Sequence, residues 1–296
     1  MKVLITGANG QLGLSFQSRS KLATSLGIQL LFADRQQLDI TQPESIANFI
    51  QQNPVDLIVN TAAYTAVDRA ESEPQQAALI NCKGPENLAR YCAQYNCGLI
   101  HVSTDYVFDG NQATPYCEQD PVSPLGVYGE TKYRGEVAVL QHYPQAIILR
   151  TSWVFSEFGN NFLKTMLRLA QTRDNLRVVC DQWGAPTYAP HIAEVILDLI
   201  NPHQKVSAGI YHFSGHKKTH WQAFAQEIFA IAVQQDPNFP VPEVSPISSA
   251  EYLTPVTRPL NSHMSNQKIV QLLQDVNCNW QQGILASINA LQQDTK

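Results

Sequence analysis

Short apolar runs alternate along the first half of the chain with longer segments of helical period. Val3–Ile5, Gln29–Ala33, Leu57–Asn60, Gly98–Ser103 and Ala146–Arg150 are brief, aliphatic and bounded by turn formers, which predicts strands. Between them, Gln11–Ser20, Gln42–Gln52, Gln76–Tyr95 and Val127–Gln141 read as helices. Thr41 and Glu44 have the spacing of a capping box, with Pro43 early in that helix. Strands this short and apolar are buried on both faces. The alternation therefore predicts a parallel sheet covered by helices on both sides, a doubly wound, Rossmann-like α/β fold.

After about Arg150 the regularity fades. Helices are predicted over Asn161–Arg173, His191–Ile200, Trp221–Ala232 and Trp280–Leu291, and strands over Arg177–Val179 and Gly209–Phe213. Asp236–Pro259 is rich in Pro and Ser. The expected organisation is a dinucleotide-binding domain over 1–150 and a smaller C-terminal, mainly substrate-binding lobe over 151–296, with some late segments returning to the first domain. No internal repeat is visible.

Composition narrows the class. In 296 residues, 44% are hydrophobic and 15% charged, which suits a packed globular core. The net charge of -5 and the lack of a long basic run argue against nucleic acid as a partner. No apolar run approaches the roughly 20 residues that span a membrane. The start, MKVLITGANG, enters a strand directly and lacks the apolar core of a signal peptide. Cys82, Cys92, Cys97, Cys117, Cys180 and Cys278 form no C-x-x-C pair, so reduced thiols in a cytoplasmic protein, and no metal site, are expected.

Strand one runs straight into Gly7-x-x-Gly10-x-x-Gly13 and a helix. A tight turn needs residues that tolerate positive φ, and glycine lets backbone approach a pyrophosphate held at a helix N-terminus. The position after a strand and before a helix is the context the motif requires. Asp34 ends strand two, where an acid can bond the ribose hydroxyls, while Arg35 beside it suits a 2′-phosphate. NAD and NADP both remain open on this pair. Asp39 and Ile40 can touch the adenine. The small residues of Asn60-Thr61-Ala62-Ala63-Tyr64-Thr65 leave room for a cofactor across the strand ends.

Tyr128-x-x-x-Lys132 places two side chains on one face of a helix. A nearby ammonium is expected to lower the tyrosine pKa from its ordinary value near 10. Ser103-Thr104-Asp105 ends strand four, where ligands of an open α/β sheet sit. A hydroxyl there can bond a carbonyl while the tyrosine donates its proton.

Set in this order, these residues resemble the extended short-chain dehydrogenase/reductase family. The resemblance is carried further by VNTAAYTAVDRAESEP (59–74), STDYVFDG (103–110), YGETK (128–132), RTSWVF (150–155), NNFLKTMLRLA (160–170), DQWGAPT (181–187) and RPLNS (258–262). Together they are similar to the branch that reduces the 4-keto group of dTDP-4-dehydro-L-rhamnose. The resemblance implies an NAD(P)H-dependent oxidoreductase acting on a dTDP-linked 4-keto-6-deoxyhexose, for dTDP-rhamnose and cell-surface polysaccharide biosynthesis. NADPH is the expected cofactor, with NADH also plausible.

By the same resemblance Tyr128 is the proton donor and Lys132 its partner. Thr104 and Asp105 contact the sugar, and Trp153 lines the sugar-nucleotide pocket. Asn160 and Asn161 supply polar contacts and Arg258 a diphosphate contact. Gly10, Gln11 and Leu12 form the pyrophosphate turn, and Ala63, Tyr64 and Thr65 border the cofactor. A homodimer is compatible with the resemblance. Some members bridge it with Mg²⁺ through an acid about two positions after the last glycine; this chain has Leu14-Ser15 there, which puts the metal in doubt. The alternatives are a non-catalytic nucleotide-binding regulatory subunit, similar to that of methionine adenosyltransferase, and a sugar-nucleotide epimerase or dehydratase. The intact Thr104, Tyr128 and Lys132 set disfavours the first. The missing Glu after Asp105 disfavours a dehydratase.

Overall fold

The computed structural model describes residues 1–293. In chain order the first half comprises β1 (Lys2–Thr6), α1 (Gln11–Ser18), α2 (Ser20–Ser25), β2 (Gln29–Ala33), α3 (Pro43–Gln52) and β3 (Leu57–Asn60). It continues with α4 (Val67–Ala70), α5 (Pro74–Ala78), α6 (Gly84–Tyr95), β4 (Gly98–Thr104), α7 (Val127–His142) and β5 (Ile147–Thr151). Side chains alternate across each strand. Val3 and Ile5 of β1 therefore join a core with Phe16 of α1 and Ala23 of α2, while Leu4 joins the opposite layer with Ile46 of α3, Leu88 of α6 and Val139 of α7.

Three local expectations are corrected. The first predicted helix breaks at Arg19, whose Nε donates to Glu194 Oε1 at 2.6 Å, and α2 absorbs much of the segment before β2. No capping box forms at Thr41: the helix starts at Pro43, and the Thr41 hydroxyl instead donates to Asp39 Oδ1 at 2.7 Å. The predicted helix Gln76–Tyr95 contains a π-turn at Leu79–Lys83, between α5 and α6. A π-turn adds a residue to the helical path, and here it carries Asn81 inward to hold the backbone of Tyr64 at both N and O.

The second half contains β6 (Val154–Phe155), α8 (Phe162–Ala170), β7 (Asn175–Val179), β8 (Trp183–Gly184), β9 (Thr187–Tyr188) and α9 (Ala189–Leu199). There follow β10 (Gly209–His212), β11 (Thr219–His220), α10 (Trp221–Gln235), β12 (Glu243–Ile247), α11 (Gln267–Leu273) and α12 (Trp280–Gln293). β10 pairs parallel to β5 and completes a six-stranded sheet of order β10-β5-β4-β3-β1-β2. α9 and α11 pack with α1 and α2. A separate core forms around Leu163 of α8, Phe224 and Ile228 of α10 and Ile284 of α12. β12 arises inside the Pro- and Ser-rich stretch; it pairs only with β7, so Pro246 costs no central ladder bond.

The order of strands reverses at β1, which has β2 on one side and β3 on the other. Loops leaving the carboxyl ends of β1 and β3 therefore diverge, and the crevice between them is where such folds bind ligands.

Candidate active site

A cleft of about 1310 Å³ opens at this crevice and runs past the ends of β3, β4 and β5 to the second core. Single-ligand pockets span about 300–1,000 Å³, so this one has room for two ligands end to end. Gly7, Gly10, Gln11 and Leu12 line one wall. Gly7 has φ +66°, and a Cβ there would lie 2.9 Å from the backbone of Ala62, so the turn fits only as glycine. Gly13 sits behind the lining; a Cβ on it would be 2.5 Å from the carbonyl oxygens of Gly7 and Ala8. Its part is to let α1 pack on the turn. Gly10 caps α1 without a side-chain bond and no acid occupies the first turn, leaving free N–H groups directed at the cleft. Those donors suit a pyrophosphate.

At the end of β2, the Asp34 carboxylate accepts the Gln36 and Gln37 amides at 2.9 and 3.0 Å and Asn9 Nδ2 at 3.0 Å. It is held rigidly at the cleft edge. Arg35 is exposed and makes a 3.7 Å pair with Asp39. Asp39 and Ile40 line the same end, and Ala62, Ala63 and Thr65 line the floor beyond β3. Tyr64 is set back from the cleft, its hydroxyl donating to Glu73 at 2.6 Å.

Thr104, Asp105, Tyr128 and Lys132 meet where β4 ends and α7 begins. The Thr104 hydroxyl donates to Asp105 Oδ1 at 3.1 Å and accepts from the Tyr106 amide at 3.2 Å. Tyr106 meets Tyr128 edge to face at 5.6 Å between centroids. Burial pushes the Asp105 carboxyl up to about 7, against the Ser262 and Thr104 hydroxyls, which favour its charged form. Burial pushes the Tyr128 phenol up to about 12, with the Thr104 hydroxyl working the other way and the Asp105 charge adding to the rise. This corrects the expectation of a lowered tyrosine pKa. The reason is that desolvation of the buried phenol dominates; Lys132 is buried too and sends its Nζ to the Val102 carbonyl at 2.7 Å. Burial pushes Lys132 itself down to about 8, against the pull of Glu136. The site thus presents a neutral phenol, a proton donor, at neutral pH.

Trp153 and Asn160 line the far end of the cleft. Trp153 adopts φ +46°, a left-handed conformation that a bulky residue reaches only under constraint. The constraint is visible: its ring stacks on Trp221 at 3.6 Å between centroids, and a Cβ on Gly184 would lie 2.5 Å from it. Asn161 caps α8 instead, accepting from the Lys164 amide at 3.1 Å while its Nδ2 donates to Gln11 Oε1 at 2.6 Å. Arg258 lies outside the lining and forms 3.1 and 3.2 Å bonds with Asp68 of α4; its buried Nε has no partner among the described residues. Ser15 is buried with its hydroxyl donating to the Gln11 carbonyl at 2.8 Å. Among the described residues no cluster of His, Cys, Asp or Glu is arranged to hold a metal.

Several residues at the site escaped the sequence reading. Asn9 steadies Asp34, and Trp221 backs Trp153. Beneath α7, Arg150 of β5 makes a bidentate pair with Glu136 at 2.9 and 2.7 Å, and Ser103 donates to the same carboxylate. Glu136 stands one turn after Lys132, and that spacing was the available signal.

Residues 1–293 match the family described as RmlD substrate binding domain. The dTDP-4-dehydrorhamnose reductase of Aggregatibacter actinomycetemcomitans is 44% identical over 287 residues, covering 96% of this chain and 97% of its own. A solved dTDP-4-dehydrorhamnose reductase from Clostridium acetobutylicum superposes with TM-score 0.89 at 36% identity, covering 99% of this chain and 100% of that one. The dTDP-4-dehydrorhamnose reductase from Bacillus anthracis, solved in complex with NADP, gives TM-score 0.89 at 34% identity, covering 98% and 99%.

Proposed function

Because this chain belongs to the RmlD substrate binding domain family, we propose that it reduces the 4-keto group of dTDP-4-dehydro-L-rhamnose, yielding dTDP-L-rhamnose. It is an NADPH-dependent oxidoreductase of rhamnose biosynthesis. The observation that carries the assignment of roles is the meeting of Thr104, Tyr128 and Lys132 in one cleft with the uncapped α1 N-terminus. We place the enzyme in the cytoplasm; none of the described helices is long and apolar enough to cross a membrane.

Bound NADPH supplies the hydride. The free N–H groups of α1 would hold its pyrophosphate, and Asp34 and Arg35 its adenosine ribose. With its hydroxyl turned from Asp105 to the substrate, Thr104 donates to the keto oxygen and orients it. Tyr128, a neutral phenol, gives its proton to that oxygen as the alkoxide forms. Proton donation by a positioned group contributes about 10²–10⁴ in rate. Lys132 holds the ribose next to the phenol and restores the proton. Asp105 reads a sugar hydroxyl, and the Trp153–Trp221 pair walls the nucleotide end. Arg258 becomes a diphosphate contact when it leaves Asp68.

Substrate use follows from where the grip lies. A free deoxyhexulose offers few contacts, so binding energy from the nucleotide must position the keto carbon. In an assay of NADPH oxidation, the dTDP-linked keto sugar should turn over and the free sugar should show both lower kcat and higher KM. Trp153→Ala should weaken use of the linked sugar and spare NADPH affinity. Net oxidation also separates a reductase from an epimerase, which returns its hydride, and from a regulatory subunit, which takes none. Equal efficiency on free and linked sugar would reduce the reading to a general carbonyl reductase.

Cofactor choice is expected to be permissive. Asp34 is fixed by three donors where a ribose would lie, while exposed Arg35 beside it can meet a 2′-phosphate. NADH and NADPH should both serve, with NADPH modestly preferred. A kcat/KM ratio beyond about 10³, roughly 4 kcal/mol, would show that one residue dominates.

A further inference from the structure

Below the catalytic helix a line of three buried polar side chains that none of the roles above uses leads to Lys132. The Thr6 hydroxyl donates to Asn60 Oδ1 at 2.7 Å, Asn60 Nδ2 meets His101 Nδ1 at 3.0 Å, and His101 Nε2 lies 3.5 Å from Lys132 Nζ. Thr6, Asn60 and His101 come from β1, β3 and β4, neighbours at the centre of the sheet. All four side chains are buried.

One backbone group sets the polarity of this line. The Ala62 amide points at Asn60 Oδ1, 3.2 Å away. A backbone N–H can only donate, so that atom of Asn60 is the oxygen and the atom facing His101 is the NH₂ group. His101 Nδ1 must therefore accept. Burial and the neighbouring Lys132 keep the ring uncharged, so its one proton sits on Nε2, directed at Lys132. An ammonium there would meet an N–H head on. A neutral amine would accept it.

We propose that His101 is a positioning residue for Lys132: locked by Asn60 as the Nε2–H tautomer, it favours the neutral amine and so makes the Lys132 proton easy to release during turnover. The proposal rests on the reductase reading for its purpose, since that reading asks Lys132 to restore a proton to the Tyr128 phenolate. The proton leaves Nζ and reaches the phenolate through the ribose hydroxyls that Lys132 would hold, and the amine left behind accepts the His101 N–H. Solvent then returns a proton to Lys132, which matches the one proton consumed per carbonyl reduced. The charged and titratable groups around Lys132 are His101 on β4, and Tyr128 and Glu136 on its own helix. Glu136 favours the ammonium but is itself paired with Arg150 of β5 and bonded by Ser103. Burial acts in the same direction as His101 and holds Lys132 near 8.

Two measurements test this without turnover. Histidine-selective ¹⁵N–¹H spectroscopy of the wild-type protein should show His101 neutral, with its proton on Nε2. A proton on Nδ1, or a charged ring at neutral pH, overturns the proposal. The second is the titration of Lys132 in protein labelled at lysine Cε, assigned with Lys132→Met. His101→Leu deletes the opposing N–H. Asn60→Asp keeps acceptors for Thr6 and Ala62 but draws the ring proton to Nδ1, turning a bare Nε2 toward the ammonium. Both should raise the Lys132 pKa, by about one pH unit. The alkaline limb of the kcat/KM profile, where activity is lost as Lys132 gives up its proton, should rise with it. A Lys132 titration that stays in place or falls in the folded variants overturns the proposal, whatever the activity. A merely structural role would lower activity evenly across pH. Because the titration reads Lys132 directly, its failure leaves the reductase reading standing, and failure of that reading leaves the titration interpretable.

Discussion

Tyr128→Phe should lose nearly all turnover while binding NADPH almost as tightly as the parent. The phenylalanine keeps the ring, its edge contact with Tyr106 and its place on α7, and deletes only the hydroxyl that faces Thr104. The expected loss is about 10²–10⁴ in kcat. With each decade worth about 1.4 kcal/mol, that is roughly 3–5.5 kcal/mol of transition-state stabilisation. The burial that holds the phenol protonated up to about pH 12 makes it a donor throughout the working range. Single-turnover rates and a fluorescence titration of NADPH check both halves. A variant that retains more than about a tenth of the parent rate would show that another group supplies the proton, and Asp105, pushed up to about 7, would be the next candidate.

The second large effect is on stability. Arg150→Met should lower the free energy of unfolding by about 3–5 kcal/mol, because it strands the Glu136 carboxylate in the interior. Both side chains are almost fully buried, at 1% and 2% exposure, and the guanidinium also lies over the Phe108 ring at 5.2 Å. The pair ties α7, which carries Tyr128 and Lys132, to β5. Adding Glu136→Leu should restore part of the loss, since apolar replacement of both partners removes the stranded charge and leaves Ser103 without its acceptor. Urea unfolding of the parent, single and double variants reads this directly. A single variant that loses less than about 1 kcal/mol would mean that water reaches Glu136 in the folded state.

The residues of this chain make some features plain and hide others, and the division follows sequence separation. Strand and helix periods, the glycine turn and the i, i+4 pair Tyr128–Lys132 are encoded within a few residues, where local geometry leaves little choice. They determined the doubly wound fold, the glycine-turn end of the cleft and the helix that carries Tyr128 and Lys132, and the family motifs added the substrate class. Even here packing overruled local preference: the Thr41–Glu44 spacing lost to a helix start at Pro43, and a π-turn at Leu79–Lys83 interrupted a helical pattern in order to seat Asn81. A strand containing Pro246 formed because β7 offered it an edge.

What only the tertiary structure decided is which distant side chains meet and in which charge state. Arg258 meets Asp68 across 190 residues, and Gln11 reaches Asn161 across 150. Trp153 owes its strained backbone to Trp221 and Gly184. The Tyr128–Lys132 spacing suggested a lowered phenol pKa, yet burial raised it, because desolvation depends on everything packed around a group and spacing reports only one neighbour. The tautomer of His101 rests on the direction of one backbone amide, at Ala62, just past the end of β3, the strand beside β4 in the sheet.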